Sequence, residues 1–113
     1  MKDHSITLIH KCGGVCYALK TQSVGADAVT VMGYENGGAA GMLDITTLCP
    51  VPRVADSFEV PVIGGGGVAD SCRFLVVLAL GAQGVIMGTP FWFLENANKS
   101  IWESRLIWSE EKI

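Results

Sequence analysis

The chain has 113 residues, 50% of them hydrophobic, with 14 glycines, 17% charged residues and a net charge of −3. That length allows a single domain, 1–113, with a real core, and the acidic balance leaves no basic patch for nucleic acid. The apolar runs are too short to span a bilayer, and the opening MKDHSITLIH lacks the apolar stretch of a signal peptide, so the sequence predicts a cytoplasmic protein away from membranes.

In chain order, Ile6 to His10 reads as a first strand that ends at Lys11 and Cys12. Gly13-Gly14 opens a helix from Val15 to Val24, with Val15, Ala18, Leu19 and Val24 as its apolar face and Gly25 as its stop. Ala28 to Met32 is a second strand, bounded by Gly33 and followed by a polar glycine loop, Tyr34 to Gly41. Thr46 or Thr47 can start a helical segment, but Pro50 and Pro52 confine the regular part to Val51 through Phe58. Val60 to Ile63 is a third strand and Gly84 to Met87 a fourth. Asn98 or Ser100 can cap a last helix within 94–113. All four strands read as buried on both faces, which predicts a parallel sheet flanked by helices, an α/β fold. Cys12, Cys16, Cys49 and Cys72 lack the C-x-x-C spacing of metal or redox sites. They read as buried thiols of a reducing compartment, and no metal is expected.

The organising stretch is VPVIGGGGVADSCRFLVVLALGAQGVIMGTPF, residues 60–91. The four glycines after the third strand allow backbone N–H groups to crowd around an anion. Asp70 or Ser71 can then cap a helix whose body, FLVVLAL, is apolar almost all round and so predicted to be buried, with Gly81 as its stop. A second backbone-opening pair, Gly88 and Thr89, follows the fourth strand. This strand, glycine loop, helix, strand, glycine order describes a phosphate-binding site. The Gly64-x-Gly66-x-x-Ala69 spacing fits a Rossmann dinucleotide unit, but that fold also wants a carboxylate at the end of the next strand, where Met87-Gly88-Thr89-Pro90 offers none. A (β/α)8 barrel places its phosphate on the loops after two successive strands, which suits both glycine pairs. Such a barrel needs about 250 residues and eight strands, so four βα units make about half of one. A flexible glycine linker is disfavoured by the apolar runs that flank the loop.

His10-Lys11-Cys12, Val15-x-x-Ala18-Leu19-Lys20, Gly25-Ala26-Asp27-Ala28-Val29, Gly33-Tyr34-Glu35 with Gly38-x-x-Gly41, Val60-Pro61-Val62-Ile63, Gly66-Gly67-x-x-Asp70 and Met87-Gly88-Thr89-x-Phe91 together resemble the second half of nitronate monooxygenases, also called 2-nitropropane dioxygenases. The likeness runs from about Ile6 to Phe93, and flavin-dependent enoyl-acyl-carrier-protein reductases share much of it. The resemblance implies the C-terminal half of a TIM-type barrel that binds FMN and oxidises alkyl nitronates with dioxygen. It places the FMN phosphate on Gly66, Gly67, Gly88 and Thr89, and a flavin contact on Lys11. An ammonium there favours an anionic reduced flavin.

Three departures bear on chemistry. Ala39 stands where the family has its catalytic histidine, Pro90 where it has an arginine, and Ser71 where a glycine is usual. His10 reads as a packed core histidine, and neither it nor His4 is an expected substitute base. Tyr34, Glu35 and Asn36 are the nearest polar groups in sequence, with Glu35 read as a solvated loop carboxylate rather than a base. The isolated chain is therefore expected to be incomplete or inactive as an enzyme. Alternatives are a flavin- or phosphate-binding half-barrel without turnover and a relative of the reductases. A half-barrel leaves open edges, which predicts a homo-oligomer or a need for the missing half.

Overall fold

The structure is a computed structural model and describes residues 5–36 and 44–88. Its elements alternate: β1 (Ile9–Cys12), α1 (Val15–Ser23), β2 (Ala28–Met32), α2 (Pro50–Ser57), β3 (Val62–Gly65), α3 (Ser71–Ala79) and β4 (Gly84–Ile86). The four strands form one sheet in the order β1-β2-β3-β4, and every pairing is parallel. A doubly wound sheet reverses its strand order at a switch point; this sheet advances one strand at a time. Right-handed crossovers then put every helix on the same face. Accordingly α1 packs on β1 and β2, α2 on β2 and β3, and α3 on β3 and β4, while α1 and α2 touch each other. This is the α/β plan of a TIM-type barrel wall, and the Rossmann alternative falls.

The core lies between the sheet and its helices. Val29 and Val31 of β2 and Val51 and Val54 of α2 are fully buried, joined by Cys12, Ala18, Val62, Val77 and Ala82. Burying each such valine is worth about 1.5–3 kcal/mol. The helix stops are glycines in the left-handed region, Gly25 at φ 85° and Gly81 at φ 101°, as the sequence predicts.

Several expectations need correction. β1 begins at Ile9, not Ile6. Leu8 is tied instead to the entry of β2: its N–H donates to Asp27 Oδ2 at 2.8 Å and its carbonyl accepts from Asp27 N at 2.9 Å. β3 runs Val62–Gly65, so Gly64 and Gly65 belong to the ladder and not to the loop. Their missing side chains serve packing: a Cβ on Gly64 would run into Val77 of α3, and one on Gly65 into Ile86 of β4. Pro50 sits in the first turn of α2 and does not break it. Only β2 and β3 are buried on both faces, because β1 and β4 are the outer strands among the described residues. α3 buries Val77 alone and leaves Phe74, Leu75 and Val76 exposed, against the expected all-round burial. On α1 the buried residues are Ala18 and Thr21, while Leu19 and Val24 face outward. Of the four cysteines only Cys12 is buried; Cys16, Cys49 and Cys72 are exposed. The expected last helix, 94–113, lies outside the described residues. Among the described residues no helix is long and apolar enough to cross a membrane.

Candidate functional site

Because the strands are parallel, their C-terminal ends share one edge of the sheet, and the chemistry-bearing residues collect there. β1 brings Lys11, the loop after β2 brings Gly33, Glu35, Asn36 and Thr47, and the loop after β3 brings Gly66 and Gly67. The first link is a hydrogen bond from Lys11 Nζ to Asn36 Oδ1 at 2.8 Å.

Thr47 is the centre of the second. Its hydroxyl accepts from Gly33 N at 3.1 Å and lies within donating distance of Gly65 O at 2.8 Å, Gly66 O at 3.1 Å and Glu35 Oε2 at 3.0 Å. Its backbone N–H donates to the Glu35 carboxylate, at 2.9 Å to Oε2 and 3.2 Å to Oε1. Beside this, Tyr34 N donates to Ile45 O at 2.9 Å. Gly33 must be glycine for a steric reason, since a Cβ there would collide with Thr46, with the Thr47 amide and with the Glu35 carboxylate.

The glycine loop itself is a tight turn. Gly66 and Gly67 have φ of 91° and 72°, the region that disfavours any side chain. A Cβ on Gly66 would stand 2.8 Å from Thr47 Oγ1, and one on Gly67 would lie against the Glu35 side chain at 3.5 Å. Turns of this kind gather backbone N–H groups into an anion-binding concavity. The start of α3 is a different matter. Asp70 Oδ1 accepts from Arg73 N at 2.8 Å, and Oδ2 pairs with Arg73 Nη1 at 3.0 Å. The helix thus carries its own carboxylate cap, as the sequence predicts, and an anion is better served by the glycine turn than by the helix end.

Of the other predicted site residues, Gly88 is described, and a Cβ there would meet nothing within 4 Å among the described residues, none of which imposes a need for glycine. Thr89, Ala39, Pro90 and His4 lie outside the described residues. His10 is exposed on β1, not packed in the core, because its strand is an outer one. Glu35 is exposed as a residue, yet its carboxylate is held by two groups of Thr47, which corrects its reading as a freely solvated loop carboxylate. The sequence marks Thr47 only as a possible helix start, and the one signal for its role is Gly33, its spatial neighbour, whose steric need becomes visible only in three dimensions. Cys12 Sγ lies 3.5 Å from Thr30 O, and burial pushes its thiol pKa up, an effect that a backbone hydrogen bond at Gly14 partly offsets. Among the described residues no group of three or more His, Cys, Asp or Glu is placed to hold a metal ion.

The family model for nitronate monooxygenase matches residues 1–112. The chain belongs to the nitronate monooxygenase family. Curated relatives include a probable nitronate monooxygenase of Staphylococcus aureus, 33% identical over 108 residues, which cover 88% of this chain and 30% of the relative. Another is the (3aS,4S,5R,7aS)-5-hydroxy-7a-methyl-1-oxo-octahydro-1H-indene-4-carboxyl-CoA dehydrogenase of Rhodococcus jostii, 41% identical over 91 residues, 80% of this chain and 25% of that one. Among solved structures, FabK from Thermotoga maritima superposes with a TM-score of 0.85 at 33% identity, covering 94% of this chain and 33% of its own. The chain thus spans a quarter to a third of the proteins it matches. Nitronate monooxygenase family members are flavin-dependent oxidoreductases acting on small molecules, and the α/β parallel sheet of this chain fits the TIM-type barrels of its structural neighbours.

Proposed function

We propose that this chain is the C-terminal, phosphate-binding half of an FMN-dependent barrel of the nitronate monooxygenase type, and that the completed barrel oxidises alkyl nitronates with dioxygen. The observation that carries this reading is the left-handed Gly66–Gly67 turn at the C-terminal end of β3, on the same sheet edge as Lys11. The turn suits the phosphate of FMN, with Gly88 and Thr89 as the second contributing loop, and Lys11 suits the electron-rich edge of the flavin ring. The flavin, when bound, supplies the redox chemistry.

The chain's own residues limit the substrate. A neutral nitroalkane must lose a carbon-bound proton, which needs a positioned base. Ala39 has no such group, and the Glu35 carboxylate is committed to the amide and hydroxyl of Thr47. A nitronate is already the anion and asks only to be bound and oriented, which favours it as the substrate class. A second reading, a relative of the flavin-dependent reductases, is favoured by the FabK superposition over 94% of the chain. Oxidation of a reduced nicotinamide by the assembled protein, without nitronate, would single it out.

The sheet face opposite the helices carries Ile9, Met32, Ile63 and Ile86, and α3 shows Phe74, Leu75 and Val76 to solvent. Such surfaces are normally covered, so the working form is a twofold copy or a complex with the missing half, in the cytoplasm where its thiols stay reduced. Flavin fluorescence titration of the full chain, alone and co-expressed with the N-terminal half of a family barrel, tests the reading. Saturable FMN binding in the co-expressed form is the expected result; its absence refutes the proposal. Sedimentation showing a stable monomer at micromolar concentration would refute the assembly.

A further inference from the structure

Gly66 and Gly67 have no side chains to hold the turn's shape, and only the following residue, Val68, is anchored in the core. Two consecutive residues in the left-handed region are held where they are by neighbours, and the contacts come from the loop after β2. Thr47 Oγ1 reaches the carbonyls of Gly65 and Gly66, the two peptides that lead into the turn. Thr47 is in turn fixed by the Gly33 amide and by the Glu35 carboxylate, which takes both its N–H and its hydroxyl as partners. The Glu35 side chain also lies along Gly67, its carboxyl carbon 4.0 Å from where a Cβ would stand.

We propose that Glu35 and Thr47 are positioning residues that clamp the glycine turn to the end of β2, so that the anion-binding shape of Gly66–Gly67 depends on a carboxylate whose own charge opposes the anion. The clamp deepens the flavin reading and rests on it for the identity of the anion, but not for its geometry. A hydroxyl has one proton to donate, so Thr47 serves one of its three acceptors at a time and depends on its N–H bond to Glu35 to stay in place. Losing the carboxylate frees Thr47, and losing the hydroxyl frees the turn.

The clamp and a simple charge effect give opposite signs. A carboxylate this close to the turn repels a phosphate. If charge alone mattered, Glu35→Ala would tighten FMN binding and Thr47→Val would leave it unchanged. The clamp requires both variants to weaken FMN binding by about tenfold or more, the scale of losing a hydrogen bond to a charged group, and requires Thr47→Ser, which keeps the hydroxyl, to bind as the parent does. Amide hydrogen exchange over residues 64–68 of the ligand-free full chain gives a second readout, expected to speed up in Glu35→Ala and in Thr47→Val and not in Thr47→Ser. If the parent co-expressed with the N-terminal half takes up no FMN, the flavin reading fails while the exchange measurement still decides the clamp. If the two stronger variants do not fold by circular dichroism, Thr47→Ala, which removes the hydroxyl without adding bulk, replaces them: the clamp expects weaker FMN binding and faster exchange, the charge effect unchanged binding and unchanged exchange. Unchanged exchange in residues 64–68, or tighter FMN binding on loss of Glu35, overturns the clamp.

Discussion

Lys11 and Asn36 meet across the sheet edge, Nζ to Oδ1 at 2.8 Å, which ties the functional end of β1 to the turn that closes β2. A lysine on a strand end normally spends its three donors on water and samples many rotamers. Here one donor is committed, so the ammonium has a preferred place. The amide therefore acts on whatever Lys11 touches.

Asn36→Ala should weaken FMN binding in the assembled barrel by about 3–10-fold, the usual net worth of such a hydrogen bond. Lys11→Met should cost more, because it removes the charge as well as the position. It should also lower the reduction potential of the bound flavin, since a nearby cation stabilises the reduced anion. Combining the two substitutions should add little to Lys11→Met alone, because they report on one interaction. Full additivity of the two in a fluorescence titration would separate Asn36 from Lys11.

Gly64 and Gly88 look alike in sequence and should respond differently. A Cβ on Gly64 runs into Val77 and stands 3.4 Å from Val51, both in the core. Gly64→Ala should therefore destabilise the fold by about 1–3 kcal/mol, the range for overpacking. Gly88 has open space around it among the described residues, so Gly88→Ala should change stability by no more than about 0.5 kcal/mol. Its effect should fall on FMN affinity instead, if the phosphate approaches that backbone. Urea unfolding and flavin titration of both variants separate packing from binding.

Cys12 gives the fold a pH dependence with a defined sign. Burial raises its thiol pKa above the ordinary 9.0, with a hydrogen bond at Gly14 working the other way. The folded state therefore holds the proton more tightly than the unfolded chain does. The corresponding stability is fully present below about pH 9 and is lost as pH rises through the folded value. Urea midpoints measured across this window should fall less steeply for Cys12→Ala than for the parent. In the native protein Cys12 should also be the slowest of the thiols at positions 12, 16, 49 and 72 to react with an aromatic disulfide, because the other three are exposed.

The parts of the fold legible in the sequence are those set by local chemistry. Ala28–Met32 is strongly β-forming and closed by Gly33, and its limits are those the sequence predicts. Gly25 and Gly81 stop their helices because only glycine enters the left-handed region cheaply, and Asp70 caps α3 for a reason equally local. Other features depend on neighbours distant in sequence. Gly64 and Gly65 read as loop because glycine is a poor strand former, while their place in β3 is set by Val77 and Ile86 across the packing. The exposed Phe74, Leu75 and Val76 read as buried because composition reports what wants cover, not whether the chain provides it. Thr47 sits where three segments meet, and no spacing rule joins it to Gly33, Glu35 and Gly66.

The substrate class can be tested through one methyl group. Alkyl nitronates and their parent nitroalkanes differ by a proton on carbon, and removing that proton requires a base held at the reacting atom. Ala39 occupies the position that the resemblance assigns to this base, and the Glu35 carboxylate is occupied by Thr47. An assembled, FMN-loaded barrel containing this chain should therefore consume oxygen with nitronates and do so far more slowly with neutral nitroalkanes. General-base assistance is worth about 10²–10⁴-fold, so the gap should be of that order. Ala39→His should recover part of the nitroalkane rate and leave the nitronate rate little changed, because the nitronate step has no proton to lose. The regained activity should follow pH as a neutral imidazole does, rising through about pH 6.5. Oxygen uptake with each substrate form, before and after the substitution and with bound FMN checked by absorbance, decides the matter. If both rates stay unchanged while FMN remains bound, residue 39 does not face the reacting carbon, and the preference for nitronate must be sought elsewhere in the barrel.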